Sequence, residues 1–310
     1  MKNLLNLRDC GSEDVLGLVE LAEQVKQHPR NYSHIMVEKS LLMIFEKPSL
    51  RTRLSFEIGA YQLGGQAIYY DMSTSPMGAG KESIADSIRV VSRFNDIVMA
   101  RLKNHEDLLE MAEYATIPVI NALTDFSHPC QVLADLLTIS EKKGALKGLK
   151  LAYLGDANNN VTHSLLFGCA QCGIDIAVGC PDDPELRTSE KVLEDACAIA
   201  GKNGSKVEMV FDADAAAAAA DVVYTDSWMS YHIPKEQQAE RERKLRPYQV
   251  DADLMKLAKN DAIFMNCLPA MRGFEQTAEV IDGPQSVVFD EAENRLYAQK
   301  AVIISLLKDG

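Results

Sequence analysis

Short apolar runs alternate with stretches of helical spacing from one end of this chain to the other, and that alternation most narrows what it can fold into. Runs at 41–45, 66–70, 96–100 and 117–121 occupy the first half, and runs at 149–154, 174–178, 206–211, 221–224 and 262–265 the second. Between them lie helix-like stretches such as 83–94 and 132–141. A strand buried on both faces reads as a continuous apolar run, and strictly alternating units form parallel sheets covered by helices. The predicted fold class is therefore α/β, a parallel sheet flanked by helices in each of two domains. At 310 residues the chain can fill two separate cores. The polar segment Lys142-Lys-Gly-Ala-Leu-Lys-Gly148 is the best boundary, giving domains over 1–141 and 148–295. The alanine run 215–220 is expected to be a plain surface helix, and 298–307 a closing helix.

Composition excludes several partners. A hydrophobic fraction of 47% with 25% charged residues is that of a soluble globular protein. The net charge of −13 argues against nucleic acid or an anionic membrane as the main partner. The opening Met1-Lys-Asn-Leu-Leu-Asn-Leu-Arg8 lacks the apolar core of a secretory signal, and the seven scattered cysteines form no disulfide framework. Both point to a reducing cytoplasm. Cys169 and Cys172 form a C-x-x-C with no second pair at metal-ligand spacing, so two buried packing thiols are the stronger reading.

Within this acidic chain, Phe45-Glu-Lys-Pro-Ser-Leu-Arg-Thr-Arg53 concentrates hydroxyls and guanidiniums just after an apolar strand. The pattern predicts a strand, a tight turn and a helix start. Unpaired N–H groups at a helix N-terminus attract anions, and arginine supplies the bidentate geometry that phosphate favours. Taken alone, an ordinary capped helix with solvated arginines fits these residues equally well. Ligands of open parallel sheets bind beyond the C-terminal strand ends, where this turn and the later motifs fall. One of those, Gly155-Asp-Ala-Asn-Asn-Asn160, follows a strand but lacks the G-x-G-x-x-G spacing of a dinucleotide loop.

The stretch Ser49-Leu-Arg-Thr-Arg53 resembles the carbamoyl-phosphate motif of the aspartate and ornithine carbamoyltransferases. His128-Pro-Cys-Gln131, Asn266-Cys-Leu-Pro269 and Phe289-Asp-Glu-Ala-Glu-Asn-Arg295 resemble three further signatures in the family order. The resemblance spans essentially the whole chain and implies a carbamoyltransferase-like fold, with the closing helix (296–310) packed back on the first domain. It implies a carbamoyl-phosphate site formed by Ser49, Leu50, Arg51, Thr52, Arg53, Arg101, His128, Gln131, Cys267, Leu268 and Arg295. Thr52, Arg101 and His128 would polarise the carbonyl oxygen, and Gln131 would hold the carbamoyl amide. Asn160, Asp226, Ser230 and Tyr231 fall at the positions that contact L-ornithine. Arg101, His128, Asp226 and Cys267 fall at the catalytic ones, with Cys267 and Asp226 positioning and deprotonating the amine. The resemblance further implies transfer without metal or organic cofactor, and a homotrimer or a multiple of trimers.

Three positions depart from the ornithine-enzyme pattern. Ser230-Tyr-His232 replaces Ser-Met-Gly, Asn266 replaces the histidine before Cys267, and Met77 stands where many relatives carry a glutamine that reaches a neighbouring subunit's site. These changes leave open another acceptor such as putrescine, lysine or an acylated ornithine. A reading of another class is a non-catalytic relative that binds carbamoyl phosphate or a partner subunit. Retention of the whole inferred catalytic set weighs against it.

Overall fold

The computed structural model describes residues 1–229 and 235–308. The chain divides into two compact units, Met1–Leu137 with Glu293–Gly310, and Thr138–Ala292. Both unit breaks fall inside helices.

In the first unit β1 (Ser40–Phe45), β2 (Gln66–Asp71), β3 (Ile97–Arg101) and β4 (Val119–Leu123) form a parallel sheet in the order β2-β1-β3-β4. Its helices are α1 (Ser12–Gln27), α2 (Leu50–Gln62), α3 (Ile84–Phe94), α4 (His105–Tyr114) and the start of α5 (Pro129–Lys143). In the second unit β5 (Lys150–Leu154), β6 (Asp175–Gly179), β7 (Val207–Val210), β8 (Val222–Thr225) and β9 (Ile263–Met265) pair in parallel in the order β7-β6-β5-β8-β9. Here the helices are α6 (Asn160–Cys172), α7 (Glu190–Asn203), α8 (Ala213–Ala217), α9 (Lys235–Leu245), α10 (Ala252–Met255) and α11 (Ala278–Ile281). The last helix, α12 (Val288–Lys308), begins ten residues before the predicted closing stretch. The α/β expectation is met, and each predicted strand is present. Among the described residues no helix is long and apolar enough to cross a membrane.

The strand order reverses once in each sheet, between β1 and β3 and again between β5 and β8. At such a switch point the connections leave in opposite directions and open a crevice beyond the C-terminal strand ends. The segments at these places are 46–49 with Arg101, and 155–160 with Asp226. At Gly155, φ is +130°, and a Cβ would stand 3.1 Å from Trp228 Nε1. Only glycine lets β5 turn out there without displacing the buried indole.

The opposite strand ends are held by aspartates. Asp96 accepts from Ser40 N at 2.8 Å while its own N–H donates to Ser40 O at 3.1 Å. Asp221 does the same with Lys150, at 2.9 and 2.8 Å. Asp175 accepts from Lys206 N at 2.8 Å. Each aspartate starts or immediately precedes a strand and occupies the first donor of the neighbouring strand. A one-residue slip would break both bonds and turn the apolar side chains to the wrong face.

Ile44, Ile88, Val98, Leu108 and Met111 centre an apolar cluster in the first unit. In the second, Leu154, Val223, Phe264 and Ile281 pack with the alanines of α8. Within the alanine run Ala216, Ala217 and Ala220 are fully buried, Ala215, Ala218 and Ala219 are exposed, and the helix ends at Ala217. A Cβ on Gly179 of β6 would lie 3.0 Å from Ala216 Cβ. The helix therefore lies close against the sheet at Ala216, where a small side chain is required. Cys169 and Cys172 are buried packing thiols, as expected.

Removing the Asp221 side chain leaves a strand-end donor unpaired at a site only 4% exposed. Asp221→Ala should cost about 1–3 kcal/mol in chemical denaturation, and Asp221→Asn, which keeps an acceptor, clearly less. Equal losses from the two variants would show that the backbone bond does not matter.

Candidate active site

In the first unit the site begins at the N-terminus of α2. Ser49 has extended backbone (φ −159°, ψ 122°) and caps the helix by accepting from Thr52 N at 3.3 Å. Its hydroxyl donates to Thr52 Oγ1 at 3.1 Å. Thr52 Oγ1 also receives Arg101 Nη1 at 3.5 Å, from the end of β3, and Arg295 Nη2 at 3.3 Å, from α12. One nearly buried hydroxyl thus gathers two guanidiniums at the positive end of a helix.

Gln131, in the first turn of α5, accepts from Arg295 Nη1 at 2.6 Å and donates to Asp135 Oδ1 at 2.8 Å. Both ends of its amide are therefore oriented. His128 immediately precedes Pro129, the first residue of α5, a position where proline's missing N–H costs nothing. The imidazole is only 5% exposed. Burial holds its pKa well below the usual 6.5, and the charges of Arg295, Arg101 and Arg51 push it the same way. A neutral imidazole among three arginines keeps one N–H to donate and adds no further positive charge.

Two predicted residues of this unit stand apart from that group. Arg53 pairs with Glu57 at 3.0 Å and lies over the Tyr69 ring at 4.3 Å, on the exposed side of α2. Leu50 is 71% exposed at the first position of the helix. Met77 is buried in the unit's own apolar cluster.

In the second unit the chemistry lies at the ends of β5, β8 and β9. Asn159 caps α6, accepting from Val161 N and Thr162 N, both at 2.9 Å, and so places Asn160 at the helix start. Asp226 directly follows β8, and its Oδ1 accepts from Ser227 N at 2.7 Å and from Cys267 Sγ at 3.2 Å. A thiol and a carboxylate from separate loops thus touch. The Cys267 turn is held from below. Leu268 has a left-handed backbone (φ 56°), which costs a non-glycine residue about 1–3 kcal/mol. Asn266 Oδ1 accepts from Leu268 N at 2.8 Å and offsets part of that cost.

Glu275, fully buried nearby, was not singled out by any sequence pattern. Burial raises its pKa to about 7, the charge of Asp226 adds to that, and a hydrogen bond from Met271 N opposes it. No periodicity or spacing marks a lone carboxylate in the turn-rich segment 271–277. Ser230, Tyr231 and His232, the predicted acceptor-side positions, lie outside the described residues.

With this geometry in view, the comparisons are direct. Residues 2–141 match the family model for the aspartate/ornithine carbamoyltransferase carbamoyl-P binding domain. Residues 147–306 match the model for its Asp/Orn binding domain. The chain belongs to the aspartate/ornithine carbamoyltransferase family. Among its relatives, it is 48% identical over 309 residues to the ornithine carbamoyltransferase of Pyrococcus abyssi, covering 99% of this chain and 96% of that one. It is likewise 48% identical over 305 residues to the anabolic ornithine carbamoyltransferase of Pyrococcus furiosus, covering 97% and 95%. A solved structure of ornithine carbamoyltransferase from Pyrococcus furiosus superposes with a TM-score of 0.93 at 46% identity, covering 97% of this chain and 96% of that one.

The electrostatics of His128 give a sign that can be checked. The folded chain binds this proton far more weakly than the unfolded chain does. Its contribution to stability is therefore full above the ordinary value of 6.5 and is lost as pH falls below it. Long-range nitrogen–proton NMR should show an imidazole that is still neutral well below its ordinary value of 6.5, and His128→Asn should flatten the acid side of the stability profile. A normal titration near pH 6.5 would contradict the arginine environment.

Proposed function

We propose that this chain transfers the carbamoyl group of carbamoyl phosphate to L-ornithine, giving L-citrulline and phosphate. The observation that carries the phosphate side is the gathering of Ser49, Thr52, Arg101, His128, Gln131 and Arg295 at one helix N-terminus in a chain of net charge −13. Such local positive potential suits a dianionic substrate that the rest of the protein repels. The acceptor rests on the 48% identity to ornithine carbamoyltransferases along nearly the whole chain.

In this reading the α2 N-terminus, with Ser49, Leu50, Arg51, Thr52 and Arg53, holds the phosphate. Arg53 would leave Glu57 and the Tyr69 ring to join them. Thr52, Arg101 and His128 donate to the carbonyl oxygen, where negative charge grows as the amine attacks. Each donor aimed at an oxyanion contributes about 3–4 kcal/mol when water is excluded. Neutrality suits His128 to donate a hydrogen bond. Gln131 and Arg295 orient the carbamoyl amide and the phosphate, and Leu268 offers its backbone carbonyl.

On the acceptor side, Asn160, Asp226 and Ser230 recognise the amino-acid head group, with Tyr231 beside the side chain. The δ-amine must lose a proton before its lone pair can attack the carbonyl carbon. Asp226 and Cys267, in contact at 3.2 Å, position it and accept that proton. The C–N bond forms, the C–O bond to phosphate breaks with its electron pair going to phosphate, and the second proton shed by the nitrogen passes to that phosphate. The name of the anabolic relative supports a place in arginine biosynthesis, and the composition supports a cytoplasmic protein.

A homotrimer is the assembly we assign. Leu50, Leu54, Ile58 and Tyr61 recur at helical spacing on α2 and are all exposed, next to the exposed Ile68 and Tyr69 of the edge strand β2. An apolar helix stripe beside an unpaired strand edge suits contact with another copy of the chain. Light scattering should return the mass of three chains, and Leu54→Glu with Ile58→Glu should lower it. A monomeric parent chain would reject the assignment.

Citrulline formation, measured beside putrescine, lysine and acetylated ornithine, tests the reaction. Ornithine should be preferred, and Arg51→Ala should lower turnover about a hundredfold or more in a protein that keeps its thermal transition. Near-normal turnover in the folded variant would remove this turn from the site, and preference for another amine would replace the acceptor.

A further inference from the structure

Beneath the Cys267 turn lies a group of polar side chains that the reaction does not use. Asn266, Glu275, Gln276 and Glu291 are all fully buried. Buried polar groups are costly unless they are hydrogen-bonded, so four around one turn need a reason. Their bonds supply one. Asn266 Nδ2 donates to Gln276 Oε1 at 3.0 Å, and Asn266 N donates to Glu291 Oε2 at 3.0 Å. Gln276 Nε2 donates to Met271 O at 3.2 Å, and Glu275 Oε1 accepts from Met271 N at 2.6 Å. Both ends of the segment 266–271 are therefore gripped by the adjacent pair Glu275 and Gln276. That pair is fixed in turn, because Val250 N donates to Glu275 O at 2.9 Å and Thr277 N donates to Val250 O at 3.0 Å.

Asn266 is the pivot. On one amide it accepts from Leu268 N and donates to Gln276, so it joins the left-handed residue of the turn to the anchor below. We infer that Asn266 and Gln276 form a positioning pair, setting the Cys267–Leu268 turn so that the Cys267 thiol meets Asp226. This inference rests on the assignment of Cys267 and Asp226 to amine delivery. In this reading the asparagine at position 266, where the family pattern has histidine, is half of a matched pair. An amide carries donor and acceptor on one carbon, which suits it to bridge two partners on the same side.

The test combines thiol chemistry with kinetics on the full-length protein. Alkylation of Cys267 by iodoacetamide, followed at the peptide level by mass spectrometry across pH, reads the thiol's contact with Asp226 whatever the acceptor is. Gln276→Leu and Asn266→Ala should each change that rate by about fivefold or more and shift its pH profile. Each should lower kcat by about 10- to 100-fold, since a displacement of about 1 Å is enough, with the KM for carbamoyl phosphate changed by less than kcat because the phosphate is held by the other unit's residues. The double variant should be little worse than the poorer single one, the sign of two residues acting through one bond. Should either truncation fail to fold, Asn266→Asp, which keeps the acceptor for Leu268 N and loses the donor to Gln276, and Gln276→Met, which keeps the length of the side chain and loses the acceptor for Asn266 Nδ2, replace them with the same expectation. Wild-type alkylation profiles in the folded variants, or fully additive effects, would overturn the pairing. If ornithine turnover is absent in the parent chain while the alkylation shifts hold, the acceptor assignment fails and the pairing stands.

Discussion

Parallel strands deliver side chains to a common edge only if their register is held, and here the hold lies at the far edge from the chemistry. Asp96, Asp175 and Asp221 each occupy the first free donor of a neighbouring strand. Two of them return a backbone bond to the same residue, which makes the pairing reciprocal. With the N-terminal strand ends locked, the C-terminal ends of β1 and β3, and of β5, β8 and β9, fall at reproducible heights. Ser49, Thr52, Arg101, Asn160, Asp226 and Cys267 hang from those ends or from the helices that follow them. A shift of one residue in β3 would carry Arg101 away from Thr52, and a shift in β8 would separate Asp226 from Cys267.

The two half-sites solve different electrostatic problems. In the first, positive charge is concentrated in a strongly acidic chain, and burial keeps it effective because water screens it less. The neutral state of His128 follows from that concentration, since a fourth cation beside Arg51, Arg101 and Arg295 would be repelled. The second half-site is acidic and holds a thiol against a carboxylate. Burial raises the pKa of Glu275 to about 7, aided by Asp226, so near neutral pH its carboxyl carries a proton part of the time and the local negative charge is limited.

Much of this was readable from residue order. Apolar runs bounded by turn residues gave the strands, because burial on both faces leaves no room for alternation. The Ser49 cap was legible because a serine before a new helix has few other roles. Elsewhere the signals were local and the causes were not. The alanine run pointed to helix throughout, but α8 stops at Ala217, and at Ala216 the closeness of β6 asks for a small side chain. Arg295 was named only through the resemblance, and its partners Gln131 and Thr52, against which it is buried on α12, lie far away in sequence.

The sequence by itself determined the α/β class and the family and named the candidate side chains, because these depend on periodicity and on short motifs that survive without coordinates. Only the tertiary structure decided which of those side chains meet. Cys267 and Asp226 are separated by forty residues and are joined because β8 and β9 are neighbours in the sheet. Asn266 and Gln276 pair across a turn whose shape no local rule predicts. Arg53, within the same motif as Thr52, points to Glu57 and Tyr69 because successive helix residues diverge by about 100°. Contact is a property of strand order and helix phase, and neither is written in the neighbourhood of a single residue.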